Sequence, residues 1–164
     1  MKFHKNFNLP LVVLVFLVSL GAAVFFTTSR SKSSDIVRAS KRLENRSLPA
    51  SILSQINEQK FFVVYLASGC GDCSDELKLL NELTITNPGL KIFGVMGEDE
   101  SVVKNYSRDN DIRFPIVADR HLDMLRELRL EFFPTNLMVE NGIIRRVYLG
   151  VPENKEKLLT LVSN

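Results

Sequence analysis

The two cysteines of the chain, Cys70 and Cys73, lie close together in the stretch ASGCGDCSDEL and are the only ones among 164 residues. Cysteines with two residues between them can form a structural disulfide, half of a metal site or a reversible redox couple. A zinc site takes four ligands, and the chain offers no third cysteine and only two isolated histidines. A structural disulfide here would close too short a loop to restrict the unfolded chain much. The pair therefore indicates reversible dithiol–disulfide exchange.

The sequence around the cysteines predicts different tasks for the two sulfurs. The apolar run 60–67 is typical of a buried strand, and a helical pattern follows Cys70. Backbone N–H groups and the helix dipole favour a thiolate at a helix N-terminus, so Cys70 is predicted to be the attacking sulfur. Cys73, one turn into the helix, would resolve the mixed disulfide. Gly69 and Gly71 are expected to leave the turn unhindered and to let another backbone approach.

The elements that must position this pair alternate along the chain. Apolar runs predict strands over 60–67, 91–96 and 114–118. Helical patterns follow them: one after the cysteines, one capped by Ser101, one over 121–130 and a last one opening at Pro152. Asn141-Gly142 between two apolar runs predicts a β-hairpin. The order β-α-β-α-β-α-β-β-α predicts an α/β fold with a mostly parallel central sheet, an antiparallel C-terminal hairpin and helices on both faces.

The N-terminal part of the chain predicts a membrane segment. Residues 9–26 carry no charge over 18 positions, about the minimum for a spanning helix. We expect an uncleaved anchor or a signal segment at 1–28, a basic linker with helical stretches at 29–58, and one domain at 59–164. The predicted localisation is a single-pass cell-membrane protein with its domain on the extracytoplasmic side. The net charge of +2 gives no extended basic surface for nucleic acid.

The stretch YLASGCGDCSDELKLLNEL, followed at a distance by FPT, resembles the thioredoxin superfamily. Within it, the sequence is most similar to the membrane-anchored TlpA/ResA type, over about residues 58–162. The resemblance implies a thioredoxin-like fold and a protein-disulfide oxidoreductase that needs no cofactor or metal. It implies protein thiol or disulfide substrates and a membrane electron donor or other redox protein as partners. Haem-binding cysteines of apocytochrome c are among the targets it suggests.

The resemblance also implies roles for residues distant from the cysteines. Pro134 matches the proline of the family that follows a cis peptide bond beside the disulfide, and Phe133 and Thr135 flank it in the predicted substrate-binding segment. A cis bond would leave the backbone of residue 133 free to pair with an extended peptide. Glu98 matches an acidic position of the family, from which a carboxylate could take the proton that leaves Cys73.

The chain departs from the family pattern next to the cysteines. Gly69 stands where the family usually has a tryptophan, and Gly71-Asp72 replaces a proline-containing pair. These differences put the choice of partner in doubt. Asp72 is expected to modulate the site, together with both glycines.

The charges near the cysteines suggest a direction for electron flow. Asp72, Asp75, Glu76 and Glu98 form a predicted acidic site without an adjacent cation. Negative charge disfavours the thiolate, whereas strong oxidants stabilise it. We therefore expect a reductant, with a potential at or below about −270 mV.

Two other functions remain open at this point. One is a thiol peroxidase on the same fold, which would need a Thr-to-Cys spacing that the sequence lacks. The other is a redox-inactive binding module, against which the two intact cysteines argue.

Overall fold

The computed structural model describes residues 34–71 and 73–162, apart from the side chains of Lys155 and Val162. The chain divides into two compact units, Met1–Arg38 and Ala39–Asn164. In the first unit the described residues, 34–38, are helical. The predicted membrane segment at 1–28 lies outside the described residues. Among the residues that are described, no helix is long and apolar enough to cross a membrane.

The second unit is built on one five-stranded sheet. It opens with helical residues 39–43 (α1), and the later elements follow the predicted alternation. Their bounds are α2 Ala50–Leu53, β1 Lys60–Leu66, α3 Cys73–Thr86, β2 Ile92–Met96, α4 Glu100–Asp109, β3 Ile116–Ala118, α5 Asp123–Leu128, β4 Thr135–Glu140, β5 Ile143–Leu149 and α6 Lys155–Val162.

The sheet is mixed, with the strand order β3-β2-β1-β4-β5. The pairs β1–β2 and β2–β3 are parallel, whereas β1–β4 and β4–β5 are antiparallel. The expectation of a mostly parallel sheet was therefore too strong. It treated the hairpin as an addition at the edge, whereas β4 pairs directly with the central strand β1 and brings the hairpin into the middle of the sheet.

The hairpin itself is confirmed. Asn141 and Gly142 connect β4 to β5 with φ values of 51° and 76°. Two successive positive φ values are what a two-residue turn between twisted strands requires, and Asn-Gly adopts them at low cost.

Helices cover both faces of the sheet, as predicted. Alternate residues of β1 point to opposite faces. Phe61, Val63 and Tyr65 pack in one buried cluster with residues of α1, α2 and α5. Phe62, Val64 and Leu66 pack in the other, where the buried residues of α3, α4 and α6 lie. The helix α3 therefore packs on the apolar face of β1.

The segment that precedes β1 is part of this core. Its buried residues are Ala39, Leu43, Leu48, Pro49, Ile52 and Ile56. Backbone hydrogen bonds link Asn45, Arg46 and Leu48 to the hairpin at Ile144 and Gly142, along the outer edge of β5. The side chains of Arg42 and Arg46 donate to the carbonyls of Arg129 and Glu127, both at 2.7 Å. These bonds fix the loop that leads into Phe133.

Three helices begin at other residues than the sequence suggested. The N-cap position of α4 is Asp99, so the expected cap Ser101 lies inside the helix. The α5 helix starts at Asp123, because the buried Asp119 carboxylate accepts hydrogen bonds from the Asp123 and Met124 N–H groups. The α6 helix starts at Lys155, beside the Asn154 side chain, which accepts from the Lys157 N–H at 2.9 Å.

Candidate active site

Cys70 and Cys73 form a disulfide at the junction between β1 and α3. The Cα atoms are 5.4 Å apart. Cys70 lies in the loop before the helix and is half-buried, whereas Cys73 begins the helix and is fully buried. Cys70 is thus the more exposed residue of the pair, in the order expected, and the roles of the two sulfurs stay a prediction.

The segment around Pro134 lies beside the strand that leads to the cysteines. Thr135 pairs with Tyr65 near the carboxyl end of β1, and Cys70 follows five residues after Tyr65. The peptide bond between Phe133 and Pro134 is cis, as the resemblance implied. The Pro134 carbonyl accepts a hydrogen bond from the Gly150 N–H at 2.8 Å. The sheet register thus brings the predicted substrate-binding segment to the same end of β1 as the disulfide.

Phe133 forms an exposed aromatic surface at this end of the sheet. It is 36% exposed, and its ring centroid lies 5.8 Å from that of Tyr65. The Tyr65 hydroxyl lies 3.4 Å from the Asp119 carboxylate, and burial raises the Tyr65 pKa well above its usual value, so the phenol stays neutral. The neutral Tyr65 ring, held by Asp119, therefore packs against the Phe133 ring.

Glu98 lies in the loop after β2 and contacts the cysteine loop. The Ser68 hydroxyl donates to Oε1 of Glu98 at 2.7 Å. Ser68 is two residues before Cys70, so this bond connects Glu98 to the loop that carries the outer sulfur. The predicted role of Glu98 as acceptor of the Cys73 proton stays a prediction.

The small residues of the motif leave open space. A Cβ atom built at Gly69 or Gly71 would meet no other atom within 4 Å, and both residues are exposed. Their predicted modulating role stays a prediction. Asp72 lies outside the described residues.

Glu76 is a residue that the sequence analysis placed wrongly, in the acidic surface around the cysteines. Its side chain is fully buried one turn after Cys73. Burial away from water raises its pKa from 4.5 to about 8, so the carboxyl is neutral at pH 7. The sequence did contain a signal: positions 73, 76, 77, 80 and 83 share one helical face, and four of them are apolar.

The acidic character of the site is accordingly weaker than predicted. Glu76 adds no charge at neutral pH, and Asp75 forms an ion pair with Lys78 at 2.9 Å. Of the other described residues in the predicted acidic site, Asp75 is exposed and Glu98 is half-buried. Lys78 lies five residues after Cys73 on α3, so the expectation of no cation adjacent to the cysteines stays a prediction.

The comparisons with known proteins agree with this geometry. Residues 42–155 match the AhpC/TSA family. The chain is 26% identical over 102 residues to the thiol-disulfide oxidoreductase ResA of Geobacillus kaustophilus, a match that spans 60% of this chain and 59% of the relative.

Among solved structures, StoA from Bacillus subtilis superposes with a TM-score of 0.55 at 25% identity, covering 63% of this chain and 81% of that one. Reduced Prx3 from Vibrio vulnificus superposes with a TM-score of 0.62 at 16% identity, covering 74% and 98%. The latter likeness shows the fold alone.

The fold and the bonded CxxC pair define a thioredoxin-like protein. The chain belongs to the AhpC/TSA family, and it is similar to the thiol-disulfide oxidoreductase ResA and to StoA.

Proposed function

We propose that the protein is a thiol-disulfide oxidoreductase that acts on other proteins. The observation that carries the proposal is the bonded pair itself: an accessible Cys70 and a buried Cys73 at the start of a helix. Relatives named thiol-disulfide oxidoreductase support the same activity.

The reaction follows from the two environments. In the reduced protein, the Cys70 thiolate attacks a substrate disulfide, forms a mixed disulfide and releases one substrate thiolate. Cys73 then loses its proton and attacks Sγ of Cys70. This step releases the second substrate thiolate and closes the Cys70–Cys73 bond. Two electrons pass from the protein to the substrate, and a second redox protein must return them.

Glu76 is suited to move the proton of Cys73. Residues three apart on a helix are neighbours, and both side chains are fully buried. When the disulfide is reduced, the neutral carboxyl can give its proton to the departing Cys73 sulfur. In the opposite direction the carboxylate can take that proton back, which is the work of a general acid and base with a pKa near the working pH.

The direction of electron transfer, the location of the protein and its membrane anchoring are further parts of this proposal. We propose that the protein acts as a reductant, outside the membrane, anchored through residues 1–28. The acidic Glu98 beside the cysteine loop and the charge-free stretch 9–26 support these points. Cysteines of apocytochrome c are a candidate substrate, by resemblance to the TlpA/ResA type.

The test is insulin reduction by the full-length chain in detergent, with dithiothreitol as electron source. We expect activity in the wild type, loss of at least about a hundredfold in Cys70→Ser, and accumulation of a mixed disulfide in Cys73→Ser. Serine cannot form a disulfide. Cys70→Ser therefore cannot attack the substrate, and Cys73→Ser cannot release the substrate from the mixed disulfide.

The same preparations test the alternative functions. Consumption of hydrogen peroxide without insulin reduction would identify a thiol peroxidase. Absence of both activities in a folded wild type would identify a redox-inactive binding module.

A further inference from the structure

The contact between α3 and β4 contains three buried oxygen atoms with no hydrogen-bond partner in the described part of the chain. They are Oε1 and Oε2 of Glu76 and Oδ1 of Asn136. Glu76 is fully buried and Asn136 is 1% exposed. Buried polar atoms are nearly always paired in native proteins, so three such acceptors at one contact indicate a missing proton.

The sheet register turns Asn136 toward the active-site helix. Asn136 is paired with Val64 of β1, and directly paired residues point to the same face of a sheet. Val64 packs with Cys73 and Leu77 in the cluster under α3. The Asn136 amide lies within hydrogen-bonding range of the Glu76 carboxyl.

The orientation of the Asn136 amide is set by a hydrogen bond to β5–α6 loop residue Gly150. Nδ2 of Asn136 donates to the Gly150 carbonyl at 3.2 Å. Donation from Nδ2 to a charged carboxyl would lower the pKa of Glu76, but neither carboxyl oxygen receives a hydrogen bond. One N–H of Nδ2 is used by Gly150, and no N–H bonds to either carboxyl oxygen. Oδ1, which has no donor among the described residues, is therefore the atom that can bond to a protonated Glu76.

A single proton can pair two of these three oxygens, one of Glu76 and Oδ1 of Asn136. A neutral carboxyl carries one O–H donor, and an amide oxygen accepts it. We propose that Asn136 is a positioning residue whose Oδ1 accepts the proton of neutral Glu76, while the Gly150 carbonyl holds the amide in place. This inference rests on the proposed function, since it concerns the group that supplies the proton to Cys73.

In the oxidised protein, this arrangement keeps Glu76 protonated. An incoming thiolate attacks Cys70, the bond to Cys73 breaks, and Cys73 leaves with the electron pair. The proton then passes from Glu76 to Cys73. The carboxylate that remains faces the Asn136 oxygen, and this repulsion favours its reprotonation. Gly150 also donates to the Pro134 carbonyl, so the same residue supports Asn136 and the predicted substrate-binding segment.

The other groups facing Glu76 do not titrate in the same range. Val64 on β1 is apolar, and Cys73 is bonded in the oxidised protein. Tyr148 on β5 is within electrostatic range of Glu76, and its pKa is raised above its ordinary value by burial and by Glu153 and Glu76. A titration near pH 8 in the oxidised protein therefore reports Glu76.

The test is the pKa of Glu76 in oxidised full-length protein, followed by NMR of its labelled carboxyl carbon. Glu76→Gln identifies the resonance. Asn136→Leu removes the amide while keeping a side chain of similar size. We expect this variant to lower the pKa of Glu76 by about one pH unit, since an acceptor for the neutral acid is worth about one hydrogen bond. An increase, or no change, would overturn the proposal, because either result means that the amide does not accept from the neutral acid.

A second measurement leaves Asn136 itself unchanged. In the wild type, the Asn136 side-chain amide signals should shift as the pH rises through about 8, and in Glu76→Gln they should stay constant. Constant signals in the wild type would also overturn the proposal. Insulin reduction is measured separately, so a failure of the proposed function and a failure of the Asn136 assignment give different results.

Discussion

Cys73 and Glu76 lie one helical turn apart on the buried side of α3, and neither is accessible to solvent. A cysteine and a carboxyl shielded together exchange a proton more readily with each other than with water. The disulfide chemistry and the stability of this protein should therefore both depend on the protonation of Glu76.

The first prediction concerns stability and pH. The pKa of Glu76 is 4.5 as a free side chain and about 8 in the folded protein, so the folded state binds the proton more tightly. The contribution of Glu76 is fully present below pH 4.5 and is lost as the pH rises to about 8. The free energy of unfolding should fall over this range by up to about 5 kcal/mol, as measured by urea denaturation of the oxidised protein.

Glu76→Gln should remove this part of the pH dependence and be the more stable protein above pH 8. Asp75→Asn is the matched control, since Asp75 is the preceding residue on α3 but is exposed. It should keep the wild-type curve. A Glu76→Gln curve parallel to that of the wild type would contradict the buried, neutral carboxyl.

The second prediction separates two roles for Glu98. Glu98→Gln keeps the acceptor for the Ser68 hydroxyl but cannot take a proton, whereas Ser68→Ala removes the hydrogen bond and keeps the carboxylate. If Glu98 positions the cysteine loop, Ser68→Ala should slow insulin reduction about fivefold, the worth of one hydrogen bond, and Glu98→Gln should stay near the wild type. The opposite ranking, with an altered pH profile in Glu98→Gln, would support the proton transfer implied by the resemblance.

The third prediction concerns Phe133. Its exposed ring lies at the same end of the sheet as Cys70, and we propose that a protein substrate packs against it. Phe133→Ala should raise the KM for insulin several-fold and leave the rate with a small aromatic disulfide nearly unchanged. Val102→Ala, which shortens a similarly exposed side chain on α4, should alter neither rate. Equal losses on both substrates would indicate damage to the disulfide rather than lost binding.

The fourth prediction is the reduction potential. We expect a value at or below about −270 mV, measured by equilibration with glutathione or dithiothreitol buffers. Burial of Cys73 beside a carboxyl disfavours its thiolate and so disfavours a strongly oxidising disulfide. A potential near about −120 mV would reject the reductant and make the protein an oxidant.

Much of the fold could be predicted from local pattern. The apolar runs of β1 and β2 are buried strands, and Asn141-Gly142 forms the turn that its sequence indicates. The first residues of the helices were harder to predict, because tertiary contacts determine where a helix begins. The carboxylate that caps α5 belongs to Asp119, which lies four residues before the helix.

At the site, the sequence analysis predicted the cysteine pair but did not predict the buried carboxyl of Glu76. Two cysteines after a strand are visible in the sequence. The burial of Glu76 was indicated only by its position on the apolar face of α3, and a charged residue on an amphipathic helix is usually solvated, so the sequence analysis placed it at the surface. The relevance of Asn136 depends on the pairing of β4 with β1, a contact between residues 72 positions apart.

The hydrogen bonds from residues 45–48 to the hairpin limit how far the chain can be shortened from its N-terminus. A fragment starting at residue 59 would expose the outer backbone edge of β5 and delete six buried side chains, so it should self-associate through that edge. A truncation that keeps Ala39 onward retains this protective flank.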